Sequence, residues 1–228
     1  MRTNAIISYD DSQNDHDALM LGRVLRDAGA ELTLAYVRHA AQGRLEREEE
    51  AARAASALLH RGAAWLDDSY VERHVVMSAS TSAGLSWLAG DIGADLVVFG
   101  SEYRTRAGHV AIGRSAQPLL ENGPVAVGFA PACYAVGPEP EIATIGILRG
   151  TADEAAIETA YTLADRLEAT VVDRHSGVDL IVAGSRPEAR HGRAMLTSSA
   201  QNAIEEATAP VLVVARGLPL TFQSLVTV

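Results

Sequence analysis

The chain has 228 residues, 48 % hydrophobic but only 5 % aromatic, enough for one large or two small domains whose cores are mostly Ala, Val, Leu and Ile. Its net charge of −10 argues against a general binder of nucleic acid or anionic membranes, and no run reaches the ~18 apolar residues that span a bilayer. The single cysteine, Cys133, excludes an internal disulfide, and no Cys/His spacing is that of a zinc site. With no signal-peptide pattern ahead of the first strand, the expectation is a reducing cytoplasm.

The elements follow in chain order. Residues 4–9 read as a buried strand centred on Ala5, Ile6 and Ile7, broken by Asp10, Asp11 and Ser12. Asn14 is placed to cap a helix, with Asp15 and Asp17 in its first turn near the positive dipole end; Leu21, Val24, Leu25 and Ala28 give its stripe and Gly29 its stop. Residues 32–37 are a second strand, 45–66 an Ala/Glu-rich helix and 71–77 a third strand. A helix begins at 81, a short strand spans 95–100, residues 111–121 are expected to be mostly helix, and 124–130 form the last strand of this set. Three prolines and a glycine mark residues 131–141 as a linker. The pattern then restarts: a strand at 142–148, a capping box of Thr151 with Glu154, and a helix whose stripe is Ile157, Ala160, Tyr161, Ala164 and Leu167. A strand at 179–184, a helix at 199–206 and a strand at 210–215 follow. Apolar strands alternating with helices imply βαβ units and parallel sheets covered on both faces.

The restart is a repeat in the letters. DLVVFGS at 95–101 returns as DLIVAGS at 179–185, and Ser115-Ala116-Gln117 as Ser199-Ala200-Gln201. Pro124-Val125 is read as returning at Pro210-Val211, after a connection two residues longer. Between the second-strand candidate at 169–172 and the strand at 179, residues 173–178 are too few for a normal crossover of a dozen or more. The second unit is therefore expected to hold at most four parallel strands, with 169–172 a short edge strand or outside the sheet.

A strand ending in Asp-x-Ser (Asp10 to Ser12), and a later strand ending in Gly100-Ser101 before a glycine loop and helix, resemble the universal stress protein family, and the long Gly-Ser-x-x-Arg loop is similar to its actinobacterial members. The resemblance covers nearly all of residues 4–132. It implies two tandem open parallel-sheet α/β units (Rossmann-like, adenine nucleotide alpha hydrolase-like), the second incomplete: a first domain at 1–132, a truncated second at 142–216 and a tail at 217–228. It also implies ATP binding in the first unit only, through Ser8, Tyr9, Asp10, Val37, Gly100, Gly113, Arg114 and Ser115, with no metal beyond nucleotide-associated Mg. In this family pattern the aspartate after the first strand contacts adenine, and glycines let backbone N–H groups approach phosphate at a helix start. The loop departs from the pattern: Asp11 replaces a glycine, Tyr103 stands at the second loop glycine with Gly108 nearby, and Arg114 replaces Ser or Thr with Ser115 one residue late. In the second unit Arg149 takes the aspartate's place, Pro187 and Thr197 replace loop glycines, and Gly184, Ser198 and Ser199 remain.

Structural readings stand beside these. Asp10 can end a strand and cap a turn, Gly100 and Gly113 can serve turns alone, and Arg114, a cation expected at a helix start, needs a phosphate or a carboxylate beside it. The function expected is a regulatory adenine-nucleotide-binding protein. The alternative is a nucleotide-free interaction or scaffold protein of the same fold; weak ATP hydrolysis ranks last because no general base stands out. The last strands of the two units are expected to pair, as an intrachain pseudo-dimer or in a homodimer. The apolar tail from Leu218 onward is expected to dock.

Overall fold

The computed structural model describes residues 2–39, 45–148, 150–151 and 153–222, with only the backbone of 45–47. Its centre is one nine-stranded sheet in the order β3-β2-β1-β4-β5-β9-β8-β6-β7. The strands are β1 (Asn4–Ser8), β2 (Glu31–His39), β3 (Glu72–Ser78), β4 (Leu96–Gly100), β5 (Ala126–Ala130), β6 (Thr144–Ile147), β7 (Thr170–Val172), β8 (Leu180–Ala183) and β9 (Val211–Val213). Every neighbouring pair is parallel except β5 and β9. Continuous burial, complete in β5 and β8, is what coverage on both faces demands.

Helices supply that coverage. On one face α1 (Asp15–Asp27), α2 (Leu45–Trp65) and α5 (Glu154–Leu167) pack Leu21, Leu25, Leu59, Ala63, Ala160 and Leu163 against the sheet. On the other, α3 (Thr81–Ile92), α4 (Gln117–Asn122) and α6 (Ser198–Glu205) contribute Leu85, Leu88, Leu119, Leu120 and Ile204. No helix among the described residues is long and apolar enough to cross a membrane.

The two last strands meet inside the chain. Val127 pairs with Val213, Gly128 with Leu212 and Phe129 with Val211. The ladder is reciprocal about its centre, because Gly128 and Leu212 stand 84 residues apart, the same spacing that separates Gln117 from Gln201 across the joint (3.5 Å). A Cβ on Gly128 would lie 3.1 Å from Leu212 Cδ2, so the glycine makes room for the leucine opposite. Beside the ladder, the Val110 N–H donates to the Ala207 carbonyl and the Ala194 N–H to Gly123, two bonds that exchange under the same spacing. Pairing removes what would otherwise be two exposed apolar edges.

The constant spacing corrects one alignment. Ala126 pairs with Leu96, and Val211 with Ile181, so Pro210 corresponds to Ala126 rather than to Pro124. Counted from Gln117 and Gln201, the paired strand begins at the same distance in both halves, and the repeated proline is a coincidence of composition.

Residues 144–213 contribute four parallel strands, β9-β8-β6-β7, with β7 a three-residue edge. The return from β7 to β8 runs through residues 173–179 and must pass β6. It does so over Gly146, where a Cβ would lie 2.2 Å from the Arg174 carbonyl oxygen. A bare backbone at that position lets a short connection cross the strand.

Local capping differs from expectation in three places. Asn14 makes no side-chain cap; its Nδ2 donates to the Ser101 carbonyl at 2.6 Å, tying α1 to the end of β4. Asp17 does not face the dipole in water but is buried, accepting from the N–H groups of Cys133 (2.8 Å) and Ala135 (2.7 Å) and pinning the linker. The cap of α5 is Asp153, which accepts from the Ala156 N–H, not Thr151. Within α5, Ile157 and Tyr161 are exposed, and the small residues Ala155, Ala156 and Thr159 take the buried face beside Ala160 and Leu163. The expected helix at 111–121 shrinks to α4, six residues preceded by turns.

The tail docks as far as it is described. Leu220 and Phe222 are buried, the Thr3 N–H donates to the Thr221 carbonyl, and the Leu220 N–H donates to Thr159 Oγ1 at 2.9 Å. It forms no strand through residue 222. Leu225, Val226 and Val228 lie outside the described residues, as does Arg149.

Candidate functional site

In the first half, the strand order reverses between β1 and β4: β1 leads outward to β2 and β3, β4 the other way to β5. Open α/β sheets bind ligands at such a switch point, beyond the carboxyl ends of the strands. A cavity of about 680 Å³ lies there. Ser8, Tyr9 and Asp10 line it from the end of β1, Val37 from β2, Gly100 from β4, and Gly113, Arg114 and Ser115 from the turn before α4. All eight residues singled out in the sequence share this one space.

Its rim is built on carboxylates. Asp10 sits just past β1 and is exposed; its Oδ1 accepts from the Ser12 N–H at 3.1 Å, the turn role open to any aspartate there. Asp15 accepts from the backbone N–H groups of Asp10 (2.6 Å) and Ser12 (3.1 Å). Burial, reinforced by the neighbouring Asp10, pushes the Asp15 carboxyl up to about 8. Asp11 takes a left-handed conformation, φ 67°, which explains why this position suits glycine. Its side chain is held from both sides: the buried Tyr9 hydroxyl donates to Oδ1 at 2.6 Å, and Arg61 donates to Oδ2 at 2.6 and 2.9 Å. These bonds hold the Asp11 carboxyl below its ordinary range, while burial and the Asp11 bond raise the Tyr9 phenol above its own.

The loop from β4 is anchored at its base. Buried Ser101 donates to the Ala130 carbonyl (2.7 Å) and accepts from the Ala111 N–H (3.2 Å). Ser185 does the same with Val214 (2.8 Å) and Met195 (3.1 Å) in the second half. The left-handed Gly108 donates to Ala132, and the left-handed Gly192 to Arg216. Beyond this anchor Tyr103 is 76 % exposed, with the Arg104 guanidinium 5.4 Å from its ring.

The glycines divide. A Cβ on Gly100 would lie 1.9 Å from the Asn14 carbonyl oxygen, and one on Gly184 2.0 Å from that of Thr151. Both glycines are required by the close approach of the following helix to the strand end, with no ligand needed to account for them. Gly113 has no such reason: its φ is not positive, and the nearest atom to an added Cβ is Glu102 Cβ at 3.7 Å. Arg114 is exposed and makes no hydrogen bond or ion pair among the described residues. It stands on a turn rather than on a helix start.

Sequence reasoning missed Tyr36, His39, Thr81, Asp15 and Glu102 as walls of this cavity. Tyr36 and His39 flank Val37 at the end of β2, so strand register carried that signal. In the second half the Gly184 N–H donates to Thr151 Oγ1 at 3.2 Å, and Thr151 also bonds the Leu148 carbonyl. Among the described residues, no cluster of three His, Cys, Asp or Glu side chains has a geometry that could hold a metal ion.

Sheet order, helix layers and crevice define the class: an open-sheet α/β protein with its cavity at a topological switch point. Residues 165–215 match the model of the Universal stress protein family. The fold is that of a universal stress protein from Archaeoglobus fulgidus DSM 4304, at 14 % identity over 95 % of this chain and 100 % of that one, TM-score 0.70. It is shared with a putative universal stress protein from Pseudomonas aeruginosa UCBPP-PA14, at 12 % identity over 93 % of each chain, TM-score 0.60. A search of curated proteins finds no match. The family match lies in the second half of the chain, and the fold shared with these solved structures runs across both halves.

Proposed function

We propose that the chain is a regulatory protein that binds one adenine nucleotide, of which ATP with its Mg is the member the family resemblance implies, in the cavity of the first unit. The reading divides the chain into a first domain at 1–132, a shortened second copy at 142–216 and a tail at 217–228, the two copies acting as an intrachain pseudo-dimer in the cytoplasm. The observation that carries it is the single cavity at the β1/β4 switch point, to which all eight sequence-nominated residues contribute. Gly113, bare without a packing reason, supports close approach of a phosphate there.

The second reading, an interaction protein that holds no nucleotide, draws on the β3 edge, where Val75 and Met77 are exposed, and on the exposed Trp87 of α3. Calorimetry on the full chain separates the two. The first reading predicts one site per chain, weakened by ~1–3 kcal/mol in Asp10→Ala if a buried partner is left unpaired. Heat of binding absent for every adenine nucleotide selects the second.

A further inference from the structure

Taking the nucleotide reading as its basis, we infer that the cavity is built for an adenosine carrying a single phosphate and discriminates against the triphosphate, with Glu102 as a specificity-determining residue. Among the described residues, four carboxylates line the cavity: Asp10, Asp11, Asp15 and Glu102. Asp11 is neutralised by Arg61 from outside the lining, at 2.6 Å. Asp10 and Asp15 share the β1–α1 turn, where burial favours a proton on the Asp15 carboxyl and so lowers the negative charge the turn presents. Glu102 adds a further carboxylate. Against these stands one arginine of the lining, Arg114, which has no carboxylate partner among the described residues.

Glu102 stands beside Gly113, its Cβ 3.7 Å from where a Gly113 side chain would begin. The turn that offers Gly113, Arg114 and the Ser115 hydroxyl to a phosphate is therefore flanked by a carboxylate. One phosphate satisfies Arg114 and Ser115. A second and third would extend into space bounded by Glu102 and the Asp10–Asp15 pair, where the described lining offers no second arginine or lysine and only the His39 ring besides. Two added charges, each facing one uncompensated carboxylate at about 6 Å through a water-like dielectric, weaken binding by about tenfold. Mg²⁺ chelated by the triphosphate offsets most of this, so the discrimination is greatest without it.

The experiment is calorimetric titration of the full chain with adenosine, AMP and ATP, the last in EDTA and again in excess Mg²⁺, for the wild type and Glu102→Gln. Glu102 is exposed, so the variant keeps the fold, which circular dichroism verifies. AMP is expected to bind about tenfold more tightly than ATP in EDTA, Mg²⁺ to narrow the gap, and Glu102→Gln to tighten both nucleotides, ATP several-fold more than AMP. ATP in EDTA binding as tightly as AMP, or a gap that Glu102→Gln leaves untouched, overturns the inference while the nucleotide reading stands. Silence from all three ligands, adenosine included, overturns both.

Discussion

Two glycines of the same loop should respond in opposite ways to the same methyl group. In Gly100→Ala the new Cβ would start 1.9 Å from the Asn14 carbonyl oxygen. An ordinary contact is about 3.4–4 Å, so α1 and the end of β4 must part by roughly 1.5 Å, against the Asn14–Ser101 bond that draws them together at 2.6 Å. Overpacking of this kind costs about 1–3 kcal/mol. At about 2–4 °C per kcal/mol for a chain of this size, the melting temperature should fall by roughly 5 °C. In Gly113→Ala the nearest neighbour is at 3.7 Å and the backbone conformation is open to any residue, so stability should stay within about 0.5 kcal/mol. Nucleotide affinity should nonetheless drop in Gly113→Ala, because the methyl occupies the approach of the phosphate. Differential scanning calorimetry and ligand titration on both variants give the answer. A Gly100→Ala protein as stable as the wild type refutes the packing argument, and a Gly113→Ala protein that binds normally refutes the phosphate's assigned place.

Asp17→Ala leaves the N–H groups of Cys133 and Ala135 without their acceptor; since the linker is partly wet, a loss near the lower end of the ~1–3 kcal/mol per donor is expected, read by urea unfolding. The raised Asp15 carboxyl has a definite sign: its contribution to stability is complete below the ordinary carboxylate range and is lost as pH rises through about 8. Asp15→Asn keeps an oxygen for the Asp10 and Ser12 N–H groups while removing the charge that faces Asp10 and Tyr9, so its melting temperature relative to wild type should climb between pH 5 and pH 9. A difference that does not vary with pH would contradict the burial of that carboxyl. Phe222→Ala, emptying a site only 5 % exposed, should destabilise the whole chain by about 3 kcal/mol or more; no change would show that the tail is not part of the core.

The fold was legible because hydrophobic runs, turn residues and the repeated DLVVFGS/DLIVAGS blocks are local signals. The short return after β7 was legible too, because 173–178 are too few to make a covered crossover. What the letters could not carry was tertiary. Asp17 reads as a helix-start carboxylate until the linker folds back over it. Asn14 reads as a cap until Ser101 competes for its side chain. Ile157 and Tyr161 keep the helical period yet face outward, because the buried face of α5 is set by Ala155, Ala156 and Thr159 against the sheet. In the candidate site the eight residues implied by the family resemblance line one cavity. Tyr36 and His39 could have been added from the register of β2, whereas nothing around Glu102 distinguishes a cavity wall from a solvated loop. Gly100 illustrates the opposite error: a glycine that reads as a phosphate contact has a complete explanation in the Asn14 carbonyl.

Native mass spectrometry of the full chain, titrated with AMP, tests the central claim most directly, because it counts ligands per chain without assuming where they sit. The account predicts a single adduct of one nucleotide mass, much reduced in Asp10→Ala and in Gly113→Ala and unaffected by Gly150→Ala in the second half. Two adducts per chain, or none at concentrations well above those of cellular nucleotides, would contradict it.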